Sequence, residues 1–378
     1  MRTSIFIQLI VFMCQCQMVE TPDRIRFYAG TSDGSLQKSI VLCELIMADG
    51  QITVIDSFGG AKSPSYLALA PGRDFLYAVD EEPSVSNTAS QQVTGFSVDQ
   101  TTGNLKPINN QSSEGTGPCH LSVHPSGKYL FTANYGSGTI AVHPINNDGS
   151  LSPACDIKQH SGSGPDTTRQ EAAHAHFITA DPGGNHVLAV DLGIDKIMNY
   201  VFDPTTGHLD TNPAQPFFST LPGAGPRHLV FHPEGKLLFL VNELNGTLTS
   251  CSYDPEQGTI KEINTQSTLE EDFTGYNKSA AVRIHPDGQT IYASNRGDRN
   301  SISVFRIIAD GSMEREQVQD QDINWPRDFS IDPSGRYLLV ANQKGNSIVV
   351  FRIDPVSGKL ESTGKKINLS QPTCILFL

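Results

Sequence analysis

One turn recurs along this chain at nearly constant spacing, and that recurrence limits the fold more than any other feature. Proline followed closely by glycine stands at Pro71-Gly72, Pro125-Ser-Gly127, Pro182-Gly-Gly184, Pro233-Glu-Gly235, Pro286-Asp-Gly288 and Pro333-Ser-Gly335. Nine residues after each proline comes Asp80, Asn134, Asp191, Asn242, Asn295 or Asn342. Seven residues before it comes Pro64, Pro118, Ala175, Pro226, Ser279 or Pro326, and a seventh opening begins at Pro372. These openings are 54, 57, 51, 53, 47 and 46 residues apart. A period of that length marks a repeat architecture, each unit being one supersecondary structure that cannot bury its apolar faces alone.

Within a unit the turn separates two apolar runs, as in Gly225-Pro-Arg-His-Leu-Val-Phe-His-Pro-Glu-Gly-Lys-Leu-Leu-Phe-Leu-Val-Asn-Glu243. A small-residue turn, a third run such as Gly138 to His143, another turn and a variable fourth segment follow. Four short strands per unit of roughly fifty residues describe a propeller blade. The last copy, Pro372 to Leu378, supplies one strand, and Arg24–Ala29, Ser39–Leu45 and Gln51–Asp56 supply the three it lacks. The expected fold is all-β: a seven-bladed β-propeller of four-stranded blades, closed by a blade shared between the N- and C-termini. Residues 23–378 then form a single propeller domain.

Composition agrees with this reading and excludes some functions. With 33 Gly and 23 Pro among 378 residues, the chain suits turns and short strands better than long helices. A formal charge of −13 argues against general nucleic-acid binding, which needs a basic footprint. The seven cysteines are scattered without a C-x-x-C, so they read as buried thiols and not as a zinc or disulfide framework. Residues 1–22 read as a leader: one early arginine, then the apolar run Ile5 to Met13, too short to span a bilayer. No small-x-small cleavage site follows it. Export is the expectation, to a periplasmic, extracellular or lipid-anchored place, with a cytoplasmic protein as the alternative. No later segment has the length and apolarity of a membrane span.

Antiparallel pairing brings the start of a blade's first strand beside the end of its second, and in a radial array these ends converge on one rim. The Asn/Asp position is filled alike in six units, so it reads as a turn or capping device. The neighbouring positions differ from unit to unit, as a site for an asymmetric ligand requires. They hold Glu81, Tyr135, Glu243 and Arg296, then Arg227, Arg327 and His176, then His120 and His228. Arginine forks match carboxylate or phosphate oxygens two at a time, so Arg227, Arg296 and Arg327 imply a small anionic substrate. Pairing of these arginines with Glu243, Glu81 or Asp328 in a structural network is the competing reading. His174 and His176 lie two apart, which places them on one face of a strand. They can serve as a general base, as two of the three ligands a metal needs, or as plain packing. Trp325 stands beside the rim, either walling the pocket or packing.

His174-Ala-His176, Gly225-Pro-Arg-His228, Val241-Asn-Glu243, Ser294-Asn-Arg296 and Pro326-Arg-Asp-Phe329 together resemble the motifs of the seven-bladed lactonase family. That family includes propeller-type 6-phosphogluconolactonases and fungal carboxymuconate cyclases, and the resemblance covers the chain after about Asp23. It implies an active site containing His174 or His176, Arg227, Glu243 and Arg296. Asp328, Asp80 and Ala280 depart from the family pattern, which bears on the substrate more than on the reaction. A leader also sits awkwardly with a cytosolic sugar-phosphate enzyme, and export would favour an aldonolactone other than the phosphorylated one.

The resulting expectation is hydrolysis of a sugar lactone, 6-phosphogluconolactone or a related aldonolactone, to the aldonate, with neither metal nor cofactor. Glu243, His174, His176 and Arg227 are the expected catalytic residues. Arg296, Arg327, His228, His120, Tyr135 and Glu81 are expected to bind substrate. The alternatives are lactone closure of a carboxymuconate and a non-catalytic interaction platform.

Overall fold

The computed structural model describes residues 23–81 and 91–378, and among them it contains strands and turns but no helix. The strands make seven antiparallel sheets, each read outward from the channel. The fourth blade is representative: Pro226–Phe231, Leu237–Asn242, Thr247–Asp254 and Thr259–Ser267 lie in that order. Six sheets have four strands. In the third, two short segments, Leu209–Thr211 and Phe217–Ser219, share the outer position by pairing with different parts of Lys196–Phe202. The closing blade forms as expected, with Pro372–Phe377 pairing to Arg24–Thr31, followed by Ile40–Ile46 and Ile52–Phe58.

Alternation along each second strand explains why blades need neighbours. In Tyr129–Asn134 every residue is buried. Tyr129, Phe131 and Ala133 pack toward the third blade, and Leu130 packs toward the first. Successive side chains point to opposite faces of a strand, so a strand apolar on both faces requires a sheet on either side. The described core accordingly divides into seven clusters, one at each junction between adjacent blades. The cluster joining Phe27 and Val41 to Tyr337 and Ile348 closes the ring.

Hydrogen bonds repeat across the same junctions. Tyr28, Tyr77 and Tyr292 donate their hydroxyls to the carbonyls of Gly103, Gly149 and Gly358 in the next blade, at 2.7, 3.0 and 2.8 Å. His124, His232 and His285 reach the carbonyls of Gly184, Gly288 and Gly335, the glycines of the neighbouring Pro-Gly turns. The Asn position fixes each blade's own turn: Asn134 Nδ2 donates to Ser113 O and Thr139 Oγ1, and Asn295 Nδ2 to Ser301 and Ser303. These are structural roles for positions that recur from blade to blade.

Candidate active site

The inner strands carry a repeated irregularity at their first residues. Pro226 pairs with Asn242 and His228 with Val241, so Arg227 is an extra residue on a β-bulge. Cys119, His176 and Arg327 occupy the same bulge in their blades. A bulge turns a side chain out of the ladder's alternation and is a common device beside active sites. Here it aims the variable position into the channel mouth.

Those side chains line a cavity of about 360 Å³ with Glu81, Tyr135, Arg169, Glu243, Lys278, Arg296 and Trp325. Glu243 is its electrostatic centre. Its Oε2 lies 2.9 Å from Arg227 Nε and 3.0 Å from Arg296 Nη2, and its Oε1 lies 2.9 Å from Arg169 Nη2. Burial pushes the Glu243 carboxyl up, but Arg296, Arg227 and Arg169 outweigh it and hold the group well below the usual carboxylate range. Glu243 is therefore an anion at any working pH. Burial and the like charges of Arg227 and Arg327 push the Arg296 guanidinium down to about 9, against the pull of Glu243.

The arginines are not saturated. Arg296 Nε and Arg169 Nη1 are buried without a hydrogen-bond acceptor, and Arg227 Nε approaches Glu243 without hydrogen-bond alignment. Such orphaned donors are uncommon in interiors and costly. Arg227 Nη1 donates to Ala280 O at 2.8 Å and to His228 Nε2 at 3.2 Å. Arg169 Nη2 also donates to the Tyr135 hydroxyl at 3.1 Å.

His176 lines the cavity, and its Nδ1 has no hydrogen-bond partner. Burial, reinforced by Arg227, holds its imidazole well below the usual histidine range, so it is neutral. His174 does not share this position. Its ring stacks on Tyr135 at 4.4 Å, its Nδ1 bonds Tyr135 O at 2.8 Å, and its Nε2 meets Glu171 at 3.2 Å. The common face expected of the pair is lost because the strand begins only at Ala175 and His176 sits on the bulge. Cys119 offers no nucleophile, since burial pushes its thiol up to about 12.

His120 and His228 lie deeper along the channel. Their rings are 5.5 Å apart, beside Tyr66 and Phe177, and burial with nearby arginines keeps both neutral. His120 lines a second, mostly apolar cavity of about 460 Å³ farther along the inner strands, and neither histidine lines the first. Arg283 and Asp328 form a partly buried pair at 2.7 Å. Among the described residues no three His, Cys, Asp or Glu side chains gather as a metal-binding set.

Residues 26–377 match the family model described as "Lactonase, 7-bladed beta-propeller". The chain belongs to this family. It is a lactone-hydrolysing carboxylic-ester hydrolase. It is 34% identical over 317 residues to a 6-phosphogluconolactonase of Bacillus subtilis, covering 84% of this chain and 87% of that one. Among solved structures, the periplasmic gluconolactonase of Pseudomonas aeruginosa superposes with a TM-score of 0.88 at 28% identity, covering 94% of this chain and 99% of the other. A Bacteroides fragilis protein superposes with a TM-score of 0.87 at 33% identity, covering 95% and 99%.

Of the residues singled out from sequence, this cavity brings together Glu243, Arg227, Arg296, Arg327, His176, Tyr135 and Glu81. It leaves out His174, His120 and His228. Trp325 walls it, with φ at +58° and Lys344 Nζ 3.1 Å from the ring centroid on the indole. Arg169 and Lys278 were missed. Arg169 sits on a loop fixed by Gln170, whose Nε2 donates to Leu192 O at 2.8 Å and Asp195 Oδ1 at 2.7 Å. That loop falls in the longest interval between openings, 57 residues, and this excess length was the available signal. The expected leader lies outside the described residues. No helix among the described residues is long and apolar enough to cross a membrane.

Proposed function

We propose that this enzyme hydrolyses an anionic aldonolactone, with 6-phosphogluconolactone as the first candidate, using arginine donors for the oxyanion and His176 as the base. One observation carries the reading: a cavity in which three arginines around a single carboxylate keep buried N–H groups without acceptors. Its lining holds five cations (Arg169, Arg227, Lys278, Arg296, Arg327) against Glu81 and Glu243, a local excess of three positive charges in a chain of formal charge −13. The name of the Bacillus subtilis relative supports the phosphorylated substrate. That of the Pseudomonas aeruginosa neighbour supports a gluconolactone and a periplasmic location.

In this mechanism a water adds to the lactone carbonyl while the oxygen's developing charge takes the free donors of Arg227 and Arg296. Donors placed where charge develops stabilise the transition state without reorganisation. His176 accepts the water's proton. It is a weak base at rest, and the negative charge forming beside it raises its proton affinity. The intermediate collapses by breaking the ring C–O bond, the ring oxygen leaves with the proton that His176 returns, and the carboxylic acid formed ionises to the open-chain aldonate, releasing one proton. Glu243 positions the arginines; tied to three guanidinia and strongly acidic, it is poorly suited to take a proton.

The test is acid release from 6-phosphogluconolactone and gluconolactone, and loss of diene absorbance from a carboxymuconate, with purified protein. Arg227→Ala is expected to slow opening of the accepted lactone by about 100-fold or more, the range for losing one oxyanion donor, and Glu243→Gln, which releases Arg227 and Arg296 from the carboxylate that positions them, is expected to slow it by a similar factor. Inactivity toward both lactones, or full activity in both variants, would refute the proposal. Turnover of the carboxymuconate alone would establish the cyclase reading in its place.

A further inference from the structure

The position just before each blade's opening residue has a backbone of its own. Ser63, Gly117, Gly225, Trp325 and Gln371 occupy it in five blades, and in all five φ is positive, between 42° and 63°. The blade imposes this turn through a repeated bond. The residue after the Asn/Asp position donates its N–H to the carbonyl there, as Tyr135 does to Gly117, Glu243 to Gly225 and Gln343 to Trp325, at 2.7, 2.7 and 3.0 Å. Glycine takes such a turn without steric penalty, whereas a bulky side chain in the left-handed region is an outlier. Trp325 therefore stands where two sister blades use glycine, and its own N–H is fixed by Asn300 Oδ1 of the preceding blade at 3.0 Å. A disfavoured conformation held this firmly at a cavity wall points to a task for the side chain.

The indole supplies what the rest of the cavity lacks. Seven of the eleven lining residues carry charge. The phenol ring of Tyr135 is already covered by His174 at 4.4 Å and bonded to Arg169. Among the described residues no other ring packs on Trp325; Lys344 Nζ lies 3.1 Å from its centroid. Lys344 lines a separate cavity with Gln343, Asn346 and Gln371, and it does not line the active-site cavity.

We infer that Trp325 is the platform for the ring of the substrate: Lys344 braces one face of the indole from outside, and the other receives the C–H face of the lactone ring. The inference rests on the lactonase reading, in which Arg227 and Arg296 engage the carbonyl, and it adds the residue that recognises a closed ring. The face of an aromatic ring is negative and attracts the positive edge that polarised C–H groups present. A closed lactone ring offers several such groups on one side, and the open-chain aldonate offers no fixed face. Trp325 thus favours substrate over product, and ring opening itself releases the contact.

Trp325 is the only tryptophan of the chain, so fluorescence of the full-length protein reports this ring alone. The probes are gluconolactam and its 6-phosphate, whose rings stay closed, each compared with its own open-chain acid. Saturation with a lactam is expected to change wild-type emission more than saturation with the acid. By calorimetry Trp325→Gly should weaken lactam binding about tenfold, roughly the worth of covering one ring face, and weaken the acids less than about twofold. Trp325→Phe should keep most of the lactam affinity. Glycine suits this turn, so Trp325→Gly should unfold at a higher urea midpoint than Trp325→Ala, which lacks the indole but keeps the strain. For the accepted lactone, Trp325→Gly should raise KM about tenfold with kcat within about twofold of wild type. A residue that only packs would let glycine, the choice of the sister blades, restore full binding. No fluorescence response to either lactam, equal losses for ring and open chain, or an unchanged KM would overturn the platform; lactone opening by wild type would then leave the lactonase reading standing. Lactam binding that perturbs Trp325, with neither lactone opened, would sustain the platform and refute the mechanism.

Discussion

Replacing Glu243 by glutamine removes the one negative charge that three guanidinia share. Three ion pairs, at 2.9, 2.9 and 3.0 Å, disappear with that charge, and two of the three arginines are nearly inaccessible to water. Removing one partner of a buried ion pair leaves the other uncompensated and costs about 3–5 kcal/mol. That range applies here as a whole and is not tripled, because Arg169 keeps a quarter of its exposure and can turn to water. Urea unfolding at pH 7 should therefore show Glu243→Gln less stable by about 3–5 kcal/mol. In a cycle with Arg296→Met, the double variant should lose less than the sum of the singles by at least about 1.5 kcal/mol. The sign with pH follows from the depressed carboxyl. Its unfolded value is 4.5 and its folded value lies well below, so the contribution is complete above pH 4.5 and is lost as pH falls toward the folded value. The gap between wild type and variant should thus narrow only below pH 4.5. A gap under about 0.5 kcal/mol at pH 7, within the range of an ordinary surface substitution, or an additive cycle would refute this electrostatic account.

Three further outcomes test the frame. Gly149 has φ at +81°, and a Cβ there would lie 2.1 Å from the Phe75 ring; Gly149→Ala should cost about 2–4 kcal/mol from the left-handed backbone and overpacking together, read by urea midpoint. Burial lowers His143 from 6.5 to about 4, only partly offset by the Ser152 backbone. The unfolded chain takes up that proton first, so stability should fall by up to about 3 kcal/mol between pH 6.5 and 4, and His143→Leu should remove that share of the slope. Tyr292→Phe deletes the 2.8 Å bond to Gly358 O in the next blade and should lower stability by about 1 kcal/mol, measured by thermal unfolding.

The architecture was legible because a propeller writes itself into sequence many times. Pro233-Glu-Gly235 alone is an ordinary turn, but its recurrence with Asn242 and Pro226 at fixed offsets identifies a blade, and the single final strand identifies the closure. The same repetition separated Asn242, a turn device, from Glu243 and Arg227 beside it, which the structure brings to 2.9 Å. What escaped was whatever the repeat does not encode. The bulge at the inner-strand openings carries no residue signature, since Cys119, His176, Arg227 and Arg327 all occupy it; alternation therefore misplaced His174. Arg169 comes from a loop outside the blades, and loops are free to carry function on a rigid scaffold. Lys278 stands just before Ser279, one position ahead of the openings compared between blades. The second outer strand of the third blade arises from a local break at 212–216 that no period marks.

The measurement that bears most directly on the central claim is the initial rate of acid release from 6-phosphogluconolactone at pH 6.5, corrected for spontaneous opening, for wild type, Arg296→Met and His176→Asn. The account expects wild type to open the lactone far faster than buffer and Arg296→Met to lose at least about 100-fold. His176→Asn should lose a similar factor, the usual worth of a positioned base. Wild-type rates equal to buffer, or either variant as fast as wild type, would contradict it.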